Sequence, residues 1–221
     1  GRGLDYIHHW TGLEAVLVHN HIKSSNIILA QGSGSQPFIR AMICNFGLAH
    51  ASGEAADDDG HGHGCGREGE EGYHPYMSPE LLREGALATQ KSDVYAFGVL
   101  LLELLSIGYR AIDVCIYSYD AADNVYERRS TVETARAAIV AGDEEGVINE
   151  RVRRWVDGRL CYWFPVKIAV KAMRVAVQCV DEDPSLRPDM GVRGRHYFRM
   201  HSEIQRLPRV QGKLVLFGLW D

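Results

Sequence analysis

Two short polar segments hold the side chains best suited to chemistry. Residues 19–26 include His21, Lys23 and Asn26, and the second segment, Asn45-Phe46-Gly47, begins nineteen positions after Asn26. A neutral imidazole such as that of His21 can accept a proton, because its reference pKa is about 6.5. The amide oxygen of Asn45 is neutral and is therefore a poorer ligand for Mg²⁺ than a carboxylate oxygen.

A histidine-rich segment further along the chain offers a different kind of site. His61, His63 and Cys65 could supply nitrogen and sulfur ligands to zinc or copper, with His50 and His74 as the nearest further candidates. Structural zinc sites usually show tighter, paired spacing. Residues 51–72 are also low in complexity, so we interpret them as a mobile loop rather than as a metal site.

The strongest helix in the sequence spans residues 91–107. Val94, Phe97 and Leu101 recur at helical spacing, and apolar residues also fill the opposite side. A helix that is apolar nearly all round belongs at the centre of a helical domain. We therefore predict that this helix is buried, and Ser92 is the candidate for its N-cap.

Weaker patterns surround this helix. Residues 27–44 contain two β-prone runs separated by Gly/Ser-rich turn residues, which predict a hairpin. Apolar spacing predicts helices at the start of the chain, at residues 131–140 and at residues 165–180, and a last helix is predicted near Asp189. The chain is therefore predicted to be mostly helical, with one small hairpin early.

Composition limits the classes of function. A chain of 221 residues is long enough for one domain with a core. The net charge of -5 argues against nucleic acid as a partner. The cysteines show no paired spacing, which favours a reducing compartment. The longest apolar stretch, residues 99–107, is interrupted by Glu103 and is too short to span a bilayer, so no membrane contact by this chain itself is expected.

Five short motifs follow one another in the order found in protein kinases. Residues 19–26 resemble the catalytic loop H-R-D-L-x-x-x-N, Asn45-Phe46-Gly47 resembles D-F-G, and residues 76–80 resemble the A-P-E segment. Residues 92–99 are similar to the start of the family's buried central helix, and residues 183–188 are similar to its late arginine motif. The sequence most resembles plant receptor-like kinases, in particular their LysM-domain branch.

The resemblance implies a mainly α fold, namely the C-terminal lobe of the α+β kinase fold. This lobe is helical around a buried central helix and carries a small β hairpin. The expected domain covers residues 1–205, with the catalytic-loop region at 18–29, the activation segment at 45–80, the central helix at 91–107 and a tail at 206–221. No Gly-rich phosphate loop and lysine-bearing strand precede residue 19. The N-terminal lobe is therefore expected to be absent.

The resemblance also implies that the phosphotransfer site is degraded. His21 stands where the family has its catalytic aspartate, and Asn45 stands where it has the metal-binding aspartate. Lys23 and Asn26 match residues that the family keeps near the transferred phosphate and the metal. ATP and Mg²⁺ are the cofactors that the resemblance implies, with weak or no binding expected in this chain.

Residues that hold the family's scaffold together are retained. His19 and Phe46 match positions of its regulatory hydrophobic column, and Gly47 matches the glycine of D-F-G. Asp93 matches the residue that caps the catalytic-loop backbone from the central helix. Finally, Glu80 and Arg187 match a buried ion pair. A retained scaffold with altered chemistry is the pattern expected of a pseudokinase.

Three hypotheses for function follow. The first is a pseudokinase module of a receptor-like kinase that acts through protein contacts, another receptor-like kinase being one such partner. It would lie at the cytosolic face of the plasma membrane if it is part of a full-length receptor. The second is a weak Ser/Thr kinase that works once joined to an N-terminal lobe and uses Lys23, Asn26 and His21. The third is a truncated gene-model fragment.

Overall fold

The computed structural model describes residues 2–31, 39–52, 75–82, 87–106, 115–120, 125–158 and 165–191. Helices hold more of these residues than strands do, and the strands pair into small antiparallel sheets. The helices are α1 (Arg2–His9), α2 (Gln90–Leu105), α3 (Thr131–Ala138), α4 (Glu145–Trp155) and α5 (Val166–Cys179). The strands are β1 (Leu17–Val18), β2 (Ile27–Gln31), β3 (Ile39–Ile43), β4 (His50–Ala51), β5 (Cys115–Asp120) and β6 (Val125–Ser130). The predicted mainly α fold class is confirmed.

Helix α2 begins with a reciprocal cap. The side chain of Thr89 accepts a hydrogen bond from the Ser92 backbone N–H, and the Ser92 hydroxyl accepts one from the Thr89 backbone N–H at 2.9 Å. Such a capping box satisfies two N–H groups that a helix start leaves without partners. The N-cap is therefore Thr89, and the prediction that Ser92 caps the helix is wrong, because Ser92 lies three residues inside as the second half of the box.

The same helix forms the centre of the molecule, as predicted. Leu100, Leu101 and Leu102 are consecutive and all at most 1% exposed, so the helix is buried on every side. It packs against α5 at Gly98, where a Cβ atom would lie 2.6 Å from Cβ of Cys179 and 3.0 Å from the carbonyl oxygen of Ala176. Each fully buried leucine contributes roughly 1.5–3 kcal/mol of hydrophobic stabilisation.

The first four strands form two antiparallel pairs, β2 with β3 and β1 with β4. β2 and β3 pair antiparallel with Ile27 opposite Ile43, which confirms the predicted hairpin at residues 27–44. β1 pairs with β4, with Val18 opposite His50. Ala51 therefore belongs to a strand and not to the predicted loop, whose residues 53–72 lie outside the described part of the chain.

The second half of the chain differs from the predictions in several elements. The β5–β6 hairpin and α4 occupy stretches where little pattern was expected. The helices predicted at residues 131–140 and 165–180 are present as α3 and α5. No helix starts at Asp189, Met190 or Gly191, and residues 192–221, including the predicted tail, lie outside the described residues. None of the described helices combines the length and apolar character needed to cross a bilayer.

Candidate functional site

Asp93 fixes the loop at residues 19–26 onto α2. This carboxylate lies in the first turn of α2, is 1% exposed, and accepts hydrogen bonds from the backbone N–H of His19 at 2.7 Å and of Asn20 at 2.8 Å. It also accepts a hydrogen bond from Nε2 of His8 on α1 at 3.0 Å. Asn20 has a left-handed backbone, with φ of 56°, which asparagine tolerates better than most residues. One carboxylate therefore holds three segments together.

The ring of His19 joins this loop to the segment that contains Asn45. Its Nδ1 accepts a hydrogen bond from the His21 backbone N–H at 3.2 Å, so Nε2 carries the proton and donates to the Cys44 carbonyl oxygen at 3.1 Å. Burial lowers the pKa of His19 and outweighs the opposing effect of Asp93, which agrees with a neutral ring. The ring also meets Phe46 edge to face, with centroids 4.7 Å apart.

A network of polar contacts joins His21, Asn26 and Asn45. Nδ2 of Asn26 donates to the His21 carbonyl oxygen at 2.7 Å. Because a carbonyl only accepts, this contact fixes the orientation of the Asn26 amide and turns its Oδ1 toward Asn45. Nδ2 of Asn45 donates to that oxygen at 3.2 Å and lies 3.5 Å from Nδ1 of His21. Asn45 itself has a left-handed backbone, with φ of 66°.

As arranged, these side chains do not fit a Mg²⁺ site. Mg²⁺ requires oxygen ligands in near-octahedral geometry and favours anionic ones. Here the group that faces Asn26 Oδ1 is an N–H donor of Asn45. In the described part of the chain, no cluster of three or more His, Cys, Asp and Glu side chains could hold a metal ion. His61, His63, Cys65 and His74 lie outside that part.

Two further predicted residues lie next to this network. Lys23 is the N-cap of the 3₁₀ turn Ser24–Asn26, so it immediately precedes the turn that positions Asn26. Gly47 follows Phe46, and a Cβ atom there would lie 3.7 Å from Oδ1 of Asn45, which is an ordinary contact. The structure therefore gives no steric reason for glycine at position 47.

Arg187 and Glu80 form a bidentate ion pair. Nη1 of Arg187 donates to Oε1 of Glu80 at 2.6 Å, and Nη2 of Arg187 donates to Oε2 of Glu80 at 2.7 Å. The side chain of Arg187 is fully buried. It also donates to the carbonyl oxygens of Asp181, Lys91 and Glu182. Burial alone would raise the pKa of Glu80, but the hydrogen bonds from Arg187 and other groups outweigh it and leave that pKa below its ordinary value. The pair ties residues 76–82 to the segment after α5.

Ser24, Tyr76 and Glu103 form a second polar cluster, which was not predicted from the sequence. The Tyr76 hydroxyl donates to Oε2 of Glu103, and the Ser24 hydroxyl donates to Oε1 of Glu103 at 3.1 Å. Burial, and then the bond to Glu103, raise the pKa of Tyr76 to about 12, so its hydroxyl keeps its proton. Glu103 is the acid within the apolar part of α2 that follows Asp93, and an acid in such surroundings generally needs a partner. That was the signal that could have revealed the cluster.

A small cavity lies between the loop at residues 19–26 and residues 76–82. Its volume is about 30 Å³, and Asn20, Ile22, Tyr76 and Leu81 are among its lining residues. Pockets for drug-sized ligands measure roughly 300–1,000 Å³, so this cavity is too small for a nucleotide.

The chain belongs to the protein kinase domain family, whose model matches residues 1–190. It is 34% identical over 189 residues to LysM domain receptor-like kinase 3 of Arabidopsis thaliana, covering 86% of this chain and 26% of that protein. It is also 31% identical over 191 residues to PTI1-like tyrosine-protein kinase 1 of the same plant, covering 86% of this chain and 44% of that protein. The predicted protein kinase family is thereby confirmed, and the predicted resemblance to plant receptor-like kinases agrees with these relatives.

A third relative comes from rice. Salt tolerance receptor-like cytoplasmic kinase 1 of Oryza sativa subsp. japonica is 33% identical over 189 residues, which cover 85% of this chain and 43% of that protein. The chain thus spans less than half the length of each of these three relatives. The roles assigned to individual site residues, and the domain limit at residue 205, remain predictions.

Proposed function

We propose that this chain is a kinase-fold module of plant receptor-like kinase signalling whose phosphotransfer is severely impaired and which acts through protein contacts. The observation that carries this proposal is the network of His21, Asn26 and Asn45, in which none of the three side chains is a carboxylate. Kinases use a carboxylate to accept the substrate hydroxyl proton and another to hold the metal that neutralises phosphate charge. The matching positions in this chain have neither.

The expected loss of rate is large. A positioned general base contributes about 10²–10⁴-fold to the rate of a reaction. The ring of His21 differs from a carboxylate in shape and reach, and its protonated form would repel the cationic groups that phosphoryl transfer needs. Weak metal binding at Asn45 would remove charge stabilisation in addition. Binding of ATP and Mg²⁺, which family membership implies, is proposed to be weak or absent.

The retained scaffold supports a role in protein contacts. The hydrogen bonds to Asp93 and the Glu80–Arg187 pair are present, and because Asp93 and Arg187 are buried, breaking either set of contacts would be costly. A chain that keeps these contacts keeps a folded surface that a protein partner can bind, even when phosphotransfer is lost. We propose protein partners, including another receptor-like kinase, and a location at the cytosolic face of the plasma membrane when the module is part of a receptor.

A weak Ser/Thr kinase is the second candidate. It is favoured by Lys23 and by Asn26, whose side chain lies between the carbonyl oxygen of His21 and the amide of Asn45. In this alternative an N-terminal lobe supplies the nucleotide site, and His21 accepts the substrate proton.

One experiment separates the two candidates. The chain is fused to the N-terminal lobe of an active plant receptor-like kinase, and transfer of the γ-phosphate from radiolabelled ATP to a general protein substrate is measured. We expect the wild-type fusion to transfer phosphate at a rate close to the background without the fusion, and the fusion with His21→Asp and Asn45→Asp together to transfer it about 10²-fold faster or more. The double variant also shows that the fusion is competent. Transfer by the wild-type fusion that His21→Ala abolishes would instead establish the kinase.

A further inference from the structure

We propose that the side-chain amide of Asn45 takes the place of a divalent cation beside Asn26, so that the two loops are held together without metal. This inference deepens the proposed function, because it concerns the same site. It rests on the orientation of the two amides. Since Nδ2 of Asn26 is committed to the His21 carbonyl oxygen, its Oδ1 has to face position 45. Only a donor or a cation can meet that oxygen favourably.

The Asn45 amide supplies that donor. Its Nδ2 donates to Oδ1 of Asn26 at 3.2 Å and lies 3.5 Å from Nδ1 of His21. A cation placed between Asn26 and Asn45 would meet the positive end of the amide dipole and would have to turn the Asn45 side chain over. Turning it would break the bond to Asn26. The amide pair and a bound cation therefore compete for the same oxygen.

An aspartate at position 45 would reverse this preference. Its carboxylate would lie about 3.2 Å from Oδ1 of Asn26, with two acceptors facing each other and no hydrogen between them. That contact is unfavourable unless a cation bridges it. The variant Asn45→Asp is thus expected to need a divalent cation where the wild type does not. The backbone supports the comparison, because aspartate also tolerates the left-handed φ of 66° at this position.

Thermal unfolding of the full chain tests the proposal. The wild type and Asn45→Asp are each melted in EDTA and in millimolar MgCl₂. We expect the wild-type Tm to be the same in both, and the variant to lose about 2–4 °C in EDTA and to recover most of it with MgCl₂. Gln178→Glu, on the exposed face of α5, adds the same charge far from the site and controls for a general effect of charge. A wild-type Tm raised by MgCl₂ beyond any rise in the control, or a variant without a specific response to MgCl₂, overturns the proposal.

A second measurement applies if Asn45→Asp does not fold. Mn²⁺ is added to the wild-type chain, and broadening of the side-chain amide signals of Asn26 and Asn45 is followed by NMR. We expect no selective broadening, and selective broadening of these two signals overturns the proposal. That outcome would leave the proposed loss of phosphotransfer standing, since His21 carries it independently. Conversely, phosphotransfer by the wild-type fusion would overturn the proposed function while the Tm and NMR results remained valid.

Discussion

Arg187 shows at the scale of one residue why the ion pair with Glu80 is structural. Its guanidinium makes five hydrogen bonds, two to Glu80 and three to backbone carbonyl oxygens, and its Cζ lies 5.0 Å from the centre of the Tyr95 ring. A lysine would keep the charge but has fewer donors and no planar fork. The residue therefore acts through geometry as much as through charge.

Replacement of Arg187 should destabilise the fold strongly. We expect Arg187→Ala to lower the free energy of unfolding by about 3–5 kcal/mol, because it leaves Glu80 without its buried partner. Urea unfolding measures the change. Arg174→Ala, on the exposed face of α5, serves as the control and should cost at most about 0.5 kcal/mol. A cost for Arg187→Ala as small as that of the control would contradict a structural role.

Glu80 should give the stability of the fold a specific dependence on pH. Its pKa in the folded chain is lowered from 4.5, so its contribution is present above that value and is lost as the pH falls through the lowered pKa. Glu80→Gln should be less stable at neutral pH and should lack this part of the acid-induced loss. Unfolding free energies across the acid range measure both effects. Glu150→Gln, on the solvent side of α4, should keep the wild-type slope.

Part of the site could be predicted from the residues alone. The hairpin predicted at residues 27–44 is present, and it connects the segment at residues 19–26 to the segment at residues 45–47. The orientation of the amides could not be predicted, because it depends on the carbonyl oxygen of His21. The contacts of Ser24 with Tyr76 and Glu103 join residues 52 and 79 positions away, and no local pattern encodes them.

At the scale of elements, a helix could be predicted from the sequence when it buries a large apolar surface and could not when it buries little. Helix α2 was predicted because apolar side chains lie on nearly every side of it. Helix α4 was missed because only Ile148 and Val152 are buried in it, and two residues do not define a period. The β1–β4 pair was missed because each strand has two residues and the pairing joins distant parts of the chain.

The packing of α2 on α5 can be tested at Gly98. Gly98→Ala would place a methyl group 2.6 Å from Cβ of Cys179, so the two helices would have to separate. We expect a loss of about 1–3 kcal/mol in the free energy of unfolding, measured with urea. Gly146→Ala in α4 is the matched control, because no atom lies within 4 Å of its Cβ. It should gain about 0.5–1 kcal/mol, and a gain at Gly98 as well would contradict the close approach.

At the scale of the whole molecule, Asp93 is the point at which α1, the loop at residues 19–26 and α2 meet. Each of these segments buries part of its surface against the others. The molecule is therefore held together by a central apolar helix and by a carboxylate in its first turn. Substitution of Asp93 should consequently destabilise segments of the fold that are distant from it in sequence.

Removal of the Asp93 carboxylate should loosen these segments together. Asp93→Ala leaves two backbone N–H groups without an acceptor, at a cost of about 1–3 kcal/mol each. We expect the amides of residues 17–26 and of α1 to exchange hydrogen faster, while α5 changes only with global stability. Hydrogen-exchange mass spectrometry measures the protection. Unchanged exchange in α1 would show that His8 and Asp93 do not couple these segments.

The close contact at Gly98 also has a genetic consequence. Every single-nucleotide change that replaces glycine introduces either a residue with a Cβ atom or a stop codon. Codon 98 thus has no neighbouring missense allele that fits between α2 and α5, whereas codon 146 has room for one. If natural selection maintains this folded domain, populations that carry the gene should have missense alleles at codon 146 and none at codon 98. A locus that had lost its working fold would accumulate them at both codons alike.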